Sequence, residues 1–423
     1  MARFSRPFEF QKMSQQGPLI VVAPEERQPF ATALSGLNIF PVVDTDWSEV
    51  SKAVERLHPA AVLVATTEGA GTVFESLASR IAAMQPYVPL IVADPKLPCP
   101  DNAIPFSSSD GNFDRLGARL NAALRVRTLH ATVLRRLVSD PSVRLREPGN
   151  DPIQDATILL IGRGAAYPAL SVAFGERLGV VGALSIEAAA KHLNARDLDG
   201  IIIGEGFSPR VVDAFLTVLA EDTRFRNLPV AVTTGDPRAT YDLPNLEMIS
   251  GEPAQIAAVF LPLIRQHAFE ARLYRTLKSL DAGGLLDPRT GLLTAEAFHR
   301  ELATAIYQTQ SQGGRLSVAR FSLGQKQDRP LFDAARILSR LMRRMDFGAL
   351  ENDGSIIVVF TDTDLRDAHM IARRLSSVMK HTAHSAKREL RIDPHVALTT
   401  SLPDDSAKSL LARLNDEAHR AAS

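Results

Sequence analysis

The sequence predicts an α/β protein with two doubly wound domains on parallel sheets, followed by a third, α+β, domain. Its 423 residues suit about three domains. Short apolar runs alternate with segments of helical length over residues 18–137, and the alternation repeats from residue 156 onward. Such alternation is typical of a parallel sheet covered on both faces.

Five strands are predicted in the first domain: PLIVVA (18–23), IFPVV (39–43), AAVLVAT (60–66), VPLIVA (88–93) and Ile104–Ser107. The intervening helices are EERQPFATALSGL (25–37), WSEVSKAVERL (47–57) and TVFESLASRIAAM (72–84), and a long helix over 113–137 closes the domain. The second domain repeats this order, with strands in ATILLIG (156–162), VVGALS (180–185), GIIIGE (200–205), LPVAVTT (228–234) and LEMIS (246–250).

These elements predict the following organisation: a flexible arm over 1–16, a first domain over 17–138, a linker over 139–154, a second domain over 155–268, a connecting helix over 269–284 and a third domain over 285–423. The linker is predicted from its Pro, Gly and charged residues.

The composition limits the possible partners. Lys+Arg and Asp+Glu both number 48, so no overall basic field predicts nucleic-acid binding. No stretch reaches about 18 uninterrupted apolar residues, and we expect no membrane insertion. The single cysteine, Cys99, allows no internal disulfide, which suits a reducing cytoplasm.

Both doubly wound domains resemble the receiver domains of response regulators, which are flavodoxin-like. Receivers hold a metal ion with an acidic pair after the first strand and accept a phosphoryl group on an Asp after the third. The acidic pair falls on Ala23–Pro24 and on Gly162–Arg163, and the acceptor falls on Ala65 and Gly204. The resemblance therefore implies receivers that cannot be phosphorylated and that serve in dimerisation or docking.

The third domain carries a different set of motifs. Asp287-Pro288-Arg289-Thr290-Gly291-Leu292 resembles the DPLTGL motif that opens GGDEF domains, the nucleotidyl cyclase-like catalytic domains of diguanylate cyclases. Four later segments agree with the family in order: RLSVARFSLG (315–324) as the first central strand, FDAARILSRLMRRMD (332–346) as the helix before a hairpin, SIIVVFTDTDLRDAHMIARRL (355–375) after it, and the closing strand and helix over 396–422. The order receiver, receiver, GGDEF is itself a known response-regulator architecture.

The catalytic positions of this family are replaced. Counted without a gap, the GGDEF letters fall on Asn352, Asp353, Gly354, Ser355 and Ile356. The metal-binding Asp of the first strand becomes Ser322, and the segment that holds the substrate guanine shrinks to QKQDRPLFD (325–333). Because metal-assisted attack by a 3′-hydroxyl needs carboxylate ligands, we expect no cyclase activity and no bound metal.

An Arg-x-x-Asp pair, Arg343 and Asp346, remains just before the hairpin. In active cyclases this pair belongs to the inhibitory site, which binds cyclic di-GMP, and the family's second arginine falls on Arg374. An arginine fork matches guanine O6 and N7, and a carboxylate can accept from guanine N1–H and N2–H₂. The resemblance predicts a cyclic di-GMP site at these three residues.

Other interpretations remain open. An Arg–Asp pair three residues apart is often a solvated salt bridge, and the surrounding sequence is rich in arginine: Arg336, Arg340, Arg344 and Arg373. His381 and His384 could share a helix face as metal ligands, although the sequence places no third ligand beside them.

The resulting hypothesis is a non-catalytic cyclic di-GMP effector of the cytoplasm, recruited to a specific cell site. It would act as a homodimer and relay ligand binding to protein partners of a bacterial signalling pathway that controls localisation or the cell cycle. The alternatives are a ligand-independent interaction scaffold and a residual diguanylate cyclase.

Overall fold

The computed structural model describes residues 17–23, 34, 41–65, 70–95, 99–108, 115–139, 151–234, 241–324, 328–380, 382–383 and 393–422. Several predicted features lie outside these residues: the arm over 1–16, most of the helix over 25–37, the central part of the linker (140–150), Pro24, His381 and His384.

The first sheet contains five short, parallel strands, of which four are fully buried and the edge strand Val42–Thr45 is partly exposed. They are β1 (Leu19–Val22), β2 (Val42–Thr45), β3 (Ala61–Val64), β4 (Leu90–Ala93) and β5 (Ala103–Phe106), in the order β2-β1-β3-β4-β5. The helices between and after them are α1 (Val50–Leu57), α2 (Gly71–Ala82) and α3 (Leu116–Ser139). The strand order is that of a flavodoxin-like sheet.

The second sheet repeats that order and gains one strand. Its members are β6 (Thr157–Ile161), β7 (Gly179–Ala183), β8 (Gly200–Ile203), β9 (Val230–Val232), β10 (Leu246–Met248) and β14 (Thr382–Ala383), in the order β10-β9-β8-β6-β7-β14. Four helices accompany the first five strands: α4 (Tyr167–Gly175), α5 (Ile186–Ala195), α6 (Pro209–Glu221) and α7 (Pro253–Asp281). A 3₁₀ turn, Pro152–Asp155, precedes β6. The predicted α/β class with parallel sheets is confirmed.

The third sheet is antiparallel and follows α8 (Ala295–Gln312). Its order is β12-β13-β11-β15, from the strands β11 (Leu316–Ser322), β12 (Phe347–Leu350), β13 (Ser355–Thr361) and β15 (His395–Thr400). One face packs against α9 (Asp328–Leu341) and α10 (Leu365–Met379), and the other packs against α8 and α11 (Ala407–Ala422). Side chains alternate between these two cores along β11, as a strand covered on both faces requires.

The chain forms two compact units. One contains Met1–Ser139, Gly162–Leu170 and Asp199–Leu273, and the other contains Asp140–Ile161, Ser171–Leu198 and Tyr274–Ser423. Helix α7 runs without a break from Pro253 to Asp281, and its later part covers most of the connecting helix predicted over 269–284.

Candidate functional site

The Arg-x-x-Asp pair lies in a tight turn between α9 and β12. Helix α9 ends at Leu341, and the Asp346 N–H donates to the Arg343 carbonyl at 3.0 Å. The two side chains therefore project from the first and last residues of one turn, whereas the sequence predicts a helix that continues to residue 346. The backbone of a turn closed by this hydrogen bond cannot continue the helical ladder.

The Asp346 carboxylate is buried beneath this turn. The side chain is 8% exposed, and its Oδ1 accepts a hydrogen bond from the Thr361 N–H at 3.2 Å. Its Oδ2 is also buried and has no hydrogen-bond partner. Burial raises the pKa of Asp346, and the hydrogen bond from Thr361 and the positive charge of Arg343 offset only part of that rise.

The two arginines differ from Asp346 in exposure. Arg343 is exposed in the turn, and Arg374 is exposed on the outer face of α10, whose opposite face buries Ala368, Ala372 and Leu375. No hydrogen bond or ion pair joins Arg374 to Arg343 or Asp346. The structure brings Arg343 and Asp346 together and places Arg374 on the helix that follows the same hairpin.

The hairpin tip contains the positions that the sequence comparison aligns with the GGDEF letters. Ser322, at the end of β11, pairs directly with Ser355 of β13. The neighbouring carboxylate, Asp353, accepts hydrogen bonds from the Ser355 N–H at 2.9 Å and the Ser355 hydroxyl at 2.7 Å, and it forms an ion pair with Arg320. Arg320 also donates to Asn415 of α11. The carboxylate of the tip is thus bound by groups of the chain itself.

The DPRTGL segment forms a loop fastened to α9. Asp287 Oδ1 accepts from the N–H groups of Arg289 and Thr290 at 2.8 and 2.9 Å. Gly291 has a φ of 76°, and its carbonyl accepts from the Ser339 hydroxyl at 3.1 Å. The motif acts locally as a structural loop that holds the helix preceding the Arg-x-x-Asp turn.

The end of β6 lacks the acidic pair of a receiver and is filled by other side chains. The Arg163 N–H donates to the Glu205 carbonyl at 2.9 Å, and the Arg163 guanidinium lies 5.7 Å from the centre of the Phe207 ring. The Glu205 side chain packs on Gly164 so closely that an added Cβ there would lie 2.0 Å from Glu205 Oε2.

Sequence reasoning missed Thr361 as the partner of Asp346. The two residues are 15 positions apart and meet only because β12 and β13 pair across the hairpin. A threonine at the end of the second hairpin strand was the available signal, but its register relative to Asp346 depends on the length of the turn.

No protein-family model and no curated protein matches the chain. Solved GGDEF-domain structures resemble about a third of it. The GGDEF domain of DgcB from Caulobacter crescentus, in complex with c-di-GMP, shares 14% identity with a TM-score of 0.29, covering 33% of this chain and 90% of that one. A sensory box/GGDEF family protein from Caulobacter crescentus shares 25% identity with a TM-score of 0.28, covering 33% and 97%. The FimX GGDEF domain from Pseudomonas aeruginosa shares 18% identity with a TM-score of 0.29, covering 33% and 93%.

The described residues contain neither a membrane-spanning helix nor a group of metal ligands. None of their helices combines the length and the apolar character needed to cross a membrane. Within the same ranges, no three His, Cys, Asp or Glu side chains are grouped so that they could hold a metal ion.

Proposed function

We propose that this chain is a non-catalytic cyclic di-GMP effector whose ligand site consists of Arg343, Asp346 and Arg374. The observation that carries the proposal is the Asp346 carboxylate, which is buried in the same turn as the exposed Arg343 and has one oxygen without a hydrogen-bond donor. A buried carboxylate oxygen without a donor is costly to the fold, by about 1–3 kcal/mol or more. Guanine N1–H and N2–H₂ are donors that could satisfy it once the turn opens, because Asp346 Oδ2 is shielded from solvent in the ligand-free structure.

The arginines fit the remaining chemistry of the ligand. Arg343 and Arg374 are exposed, so their guanidinium groups can turn toward guanine edges or phosphate oxygens. A cyclic dinucleotide offers two guanines and two phosphates, and it suits a site with two arginines and one carboxylate.

We expect no cyclase activity, because of the side chains at the hairpin. Ser322 and Ser355 face each other at the positions that would supply metal-binding and catalytic carboxylates. Asp353 is the nearest carboxylate, and Arg320 already neutralises it. A hydroxyl pair is a poor ligand set for Mg²⁺, which prefers carboxylates and phosphates. The receiver-like domains would likewise act as docking and dimerisation modules without phosphorylation.

The effector would act in the cytoplasm, as a homodimer recruited to a particular cell site, and it would pass the ligand signal to protein partners. This requires the ligand to bind one of two conformations more tightly than the other.

The first test is calorimetric titration of cyclic di-GMP into the wild-type protein and the Arg343→Ala variant. We expect binding at micromolar or lower concentration by the wild type and a loss of roughly tenfold or more in the variant, because a charged hydrogen bond contributes about 1.5–3 kcal/mol. Arg344→Ala is the matched control, since Arg344 is exposed in the same turn.

Two outcomes would contradict parts of the proposal. Absence of heat from the wild-type protein would exclude the ligand, and equal losses in the Arg343 and Arg344 variants would exclude the assigned site. Turnover of GTP with Mg²⁺ would show a residual diguanylate cyclase.

A ligand-independent scaffold is the second candidate, and one observation favours it. Two arginines of α9 already serve internal packing: Arg336 donates to the Asp155 carbonyl at 2.6 Å, and Arg340 forms an ion pair with Asp197. The arginine-rich face is therefore partly structural. Arg343, one turn further along, is the arginine that separates the two candidates in the titration.

A further inference from the structure

One face of α9 forms hydrogen bonds and ion pairs with residues 151–161 and 171–198, which belong to the same compact unit as α9. Four α9 side chains make these contacts, at positions that recur along a single helical face: Arg329, Asp333, Arg336 and Arg340. The Arg343 turn directly follows this face.

Arg196 lies at the centre of these contacts. Its side chain is fully buried, and its guanidinium lies 3.7 Å from Asp333 of α9 while donating to the Val378 carbonyl of α10. Asp333 also accepts from the Thr157 hydroxyl at 3.5 Å. One guanidinium thus contacts the helix that leads into the Arg343 turn, α9, and the helix that carries Arg374, α10.

Strand β14 holds the end of α10 independently. Thr382 and Ala383 pair antiparallel with Val181 and Val180 of β7, only three residues after α10 ends at Met379. The position of α10, and with it that of Arg374, is therefore tied to β7 as well as to Arg196.

We propose that Arg196 is a positioning residue that sets the spacing of α9 and α10, and that couples ligand binding at the Arg343 turn to residues 151–161 and 171–198. The inference rests on the proposed function. A guanidinium has parallel donors that can serve a carboxylate and a carbonyl at once, and an ammonium or a thioether cannot replace both contacts. Because linkage is reciprocal, ligand that favours this spacing would also protect β6 and β7.

The test combines calorimetry with hydrogen exchange on the full chain, using cyclic di-GMP as the probe. In the wild type, ligand should slow amide exchange in β6 and β7. In Arg196→Met, affinity should fall about tenfold and this remote protection should disappear, although Arg196 is buried away from the ligand. Arg196→Lys keeps the positive charge but loses the paired N–H donors of the guanidinium. It should show a smaller loss of affinity and of remote protection than Arg196→Met.

Arg119→Met is the matched control. Arg119 is an equally buried arginine in an ion pair, but it lies in the other compact unit with Glu247. Arg119→Met lowers stability, but at a temperature where it is folded it should keep wild-type affinity and remote protection. If Arg196→Met does not fold, Asp333→Asn tests the same contact and should weaken affinity in the same direction.

Failure of the Arg196 coupling and failure of the proposed cyclic di-GMP binding give different results. Wild-type affinity in the folded Arg196 and Asp333 variants would overturn the coupling alone, as would an equal loss in Arg119→Met. A wild-type protein that binds no cyclic di-GMP would overturn both the coupling and the proposed function.

Discussion

Asp346 lowers the folding stability of the protein, and it is also a proposed ligand-binding residue. Its carboxylate is buried, one of its oxygens lacks a donor, and burial raises its pKa above the usual 3.8. A carboxyl group whose pKa is higher in the folded state than in the unfolded state favours folding while it is protonated. This stabilisation is fully present below the unfolded-state pKa and is lost as pH rises through the folded-state pKa. At neutral pH the ionised Asp346 therefore lowers the stability of the ligand-free protein.

Asp346→Asn should change stability and binding in opposite directions. The amide oxygen can still accept from the Thr361 N–H, and the charge that burial penalises is gone. We expect a higher melting temperature at pH 7, with the gain shrinking as pH falls toward 4, and a roughly tenfold or greater loss of cyclic di-GMP affinity. Thermal melts across this pH range and calorimetric titration measure the two effects.

Asp353→Asn is the control at the same hairpin. Burial raises the pKa of Asp353, but hydrogen bonds from Ser355 and the charge of Arg320 outweigh burial, so its pKa is lowered. The ionised Asp353 carboxylate therefore stabilises the fold. This stabilisation is fully present above the unfolded-state pKa and is lost as pH falls through the lower, folded-state pKa. Asp353→Asn should therefore lower the melting temperature at pH 7. The same sign in both variants would contradict the assigned environments.

Among the elements, α9 carries most of the contacts that position the candidate site. Its inner face contributes to the core of the third sheet. Its arginine face contacts residues within 154–157 and 177–197 of the same compact unit, and Ser339 donates to the DPRTGL loop. The Arg289 guanidinium lies 3.6 Å from the centre of the Phe332 ring, which adds a cation–π contact at the start of the helix. Displacement of this loop would move the helix that ends at the Arg343 turn.

Gly291→Ala should destabilise the third domain more than an ordinary glycine substitution does. Gly291 has a φ of 76°, and an added Cβ would lie 2.9 Å from the Ser339 hydroxyl. We expect a loss of about 2–3 kcal/mol in the free energy of unfolding, measured by urea denaturation.

Gly313 provides the comparison for that prediction. It has nearly the same φ, 74°, and an added Cβ would meet nothing within 4 Å. Gly313→Ala should cost only the backbone term of about 1 kcal/mol. Equal losses at the two glycines would show that contact with Ser339 is unimportant, and Ser339→Ala should recover part of the Gly291→Ala loss.

At the scale of the whole molecule, a fully buried ion pair stabilises the first compact unit. Arg119 of α3 donates to Glu247 of β10 at 2.7 Å, and both side chains are 0% exposed. The same guanidinium donates to the carbonyls of Pro105 and Pro244 at 2.7 and 2.6 Å. One arginine thus joins the last strand of the first sheet to the last parallel strand of the second.

Removing one partner of this pair should be strongly destabilising. Arg119→Met leaves the Glu247 carboxylate buried without its counterion, and we expect a loss of about 3–5 kcal/mol in the free energy of unfolding. The double variant Arg119→Met with Glu247→Leu should recover much of the loss, because no charge is then left buried. Chemical denaturation of the three proteins measures the difference, and a double variant no more stable than Arg119→Met would contradict it.

The sequence determined the local features of this protein. Apolar alternation predicted the class of fold and the order of strands and helices, since a strand or helix shows its buried face in its own residue spacing. Motif order predicted the hairpin and identified Arg343, Asp346 and Arg374 as candidates. The ends of elements were less accurate: α9 stops at Leu341, because a turn hydrogen bond to the Arg343 carbonyl replaces the helical one.

Only the tertiary structure decided how these features interact. The Thr361 partner of Asp346, the Arg196 contacts with α9 and α10, and the pairing of β14 with β7 each join residues distant in the chain. No local period encodes such contacts, because they depend on strand register, on loop lengths and on which helix faces meet. The residues of the candidate site could thus be named from the sequence, whereas the burial of Asp346 and the positioning of its helices follow from packing.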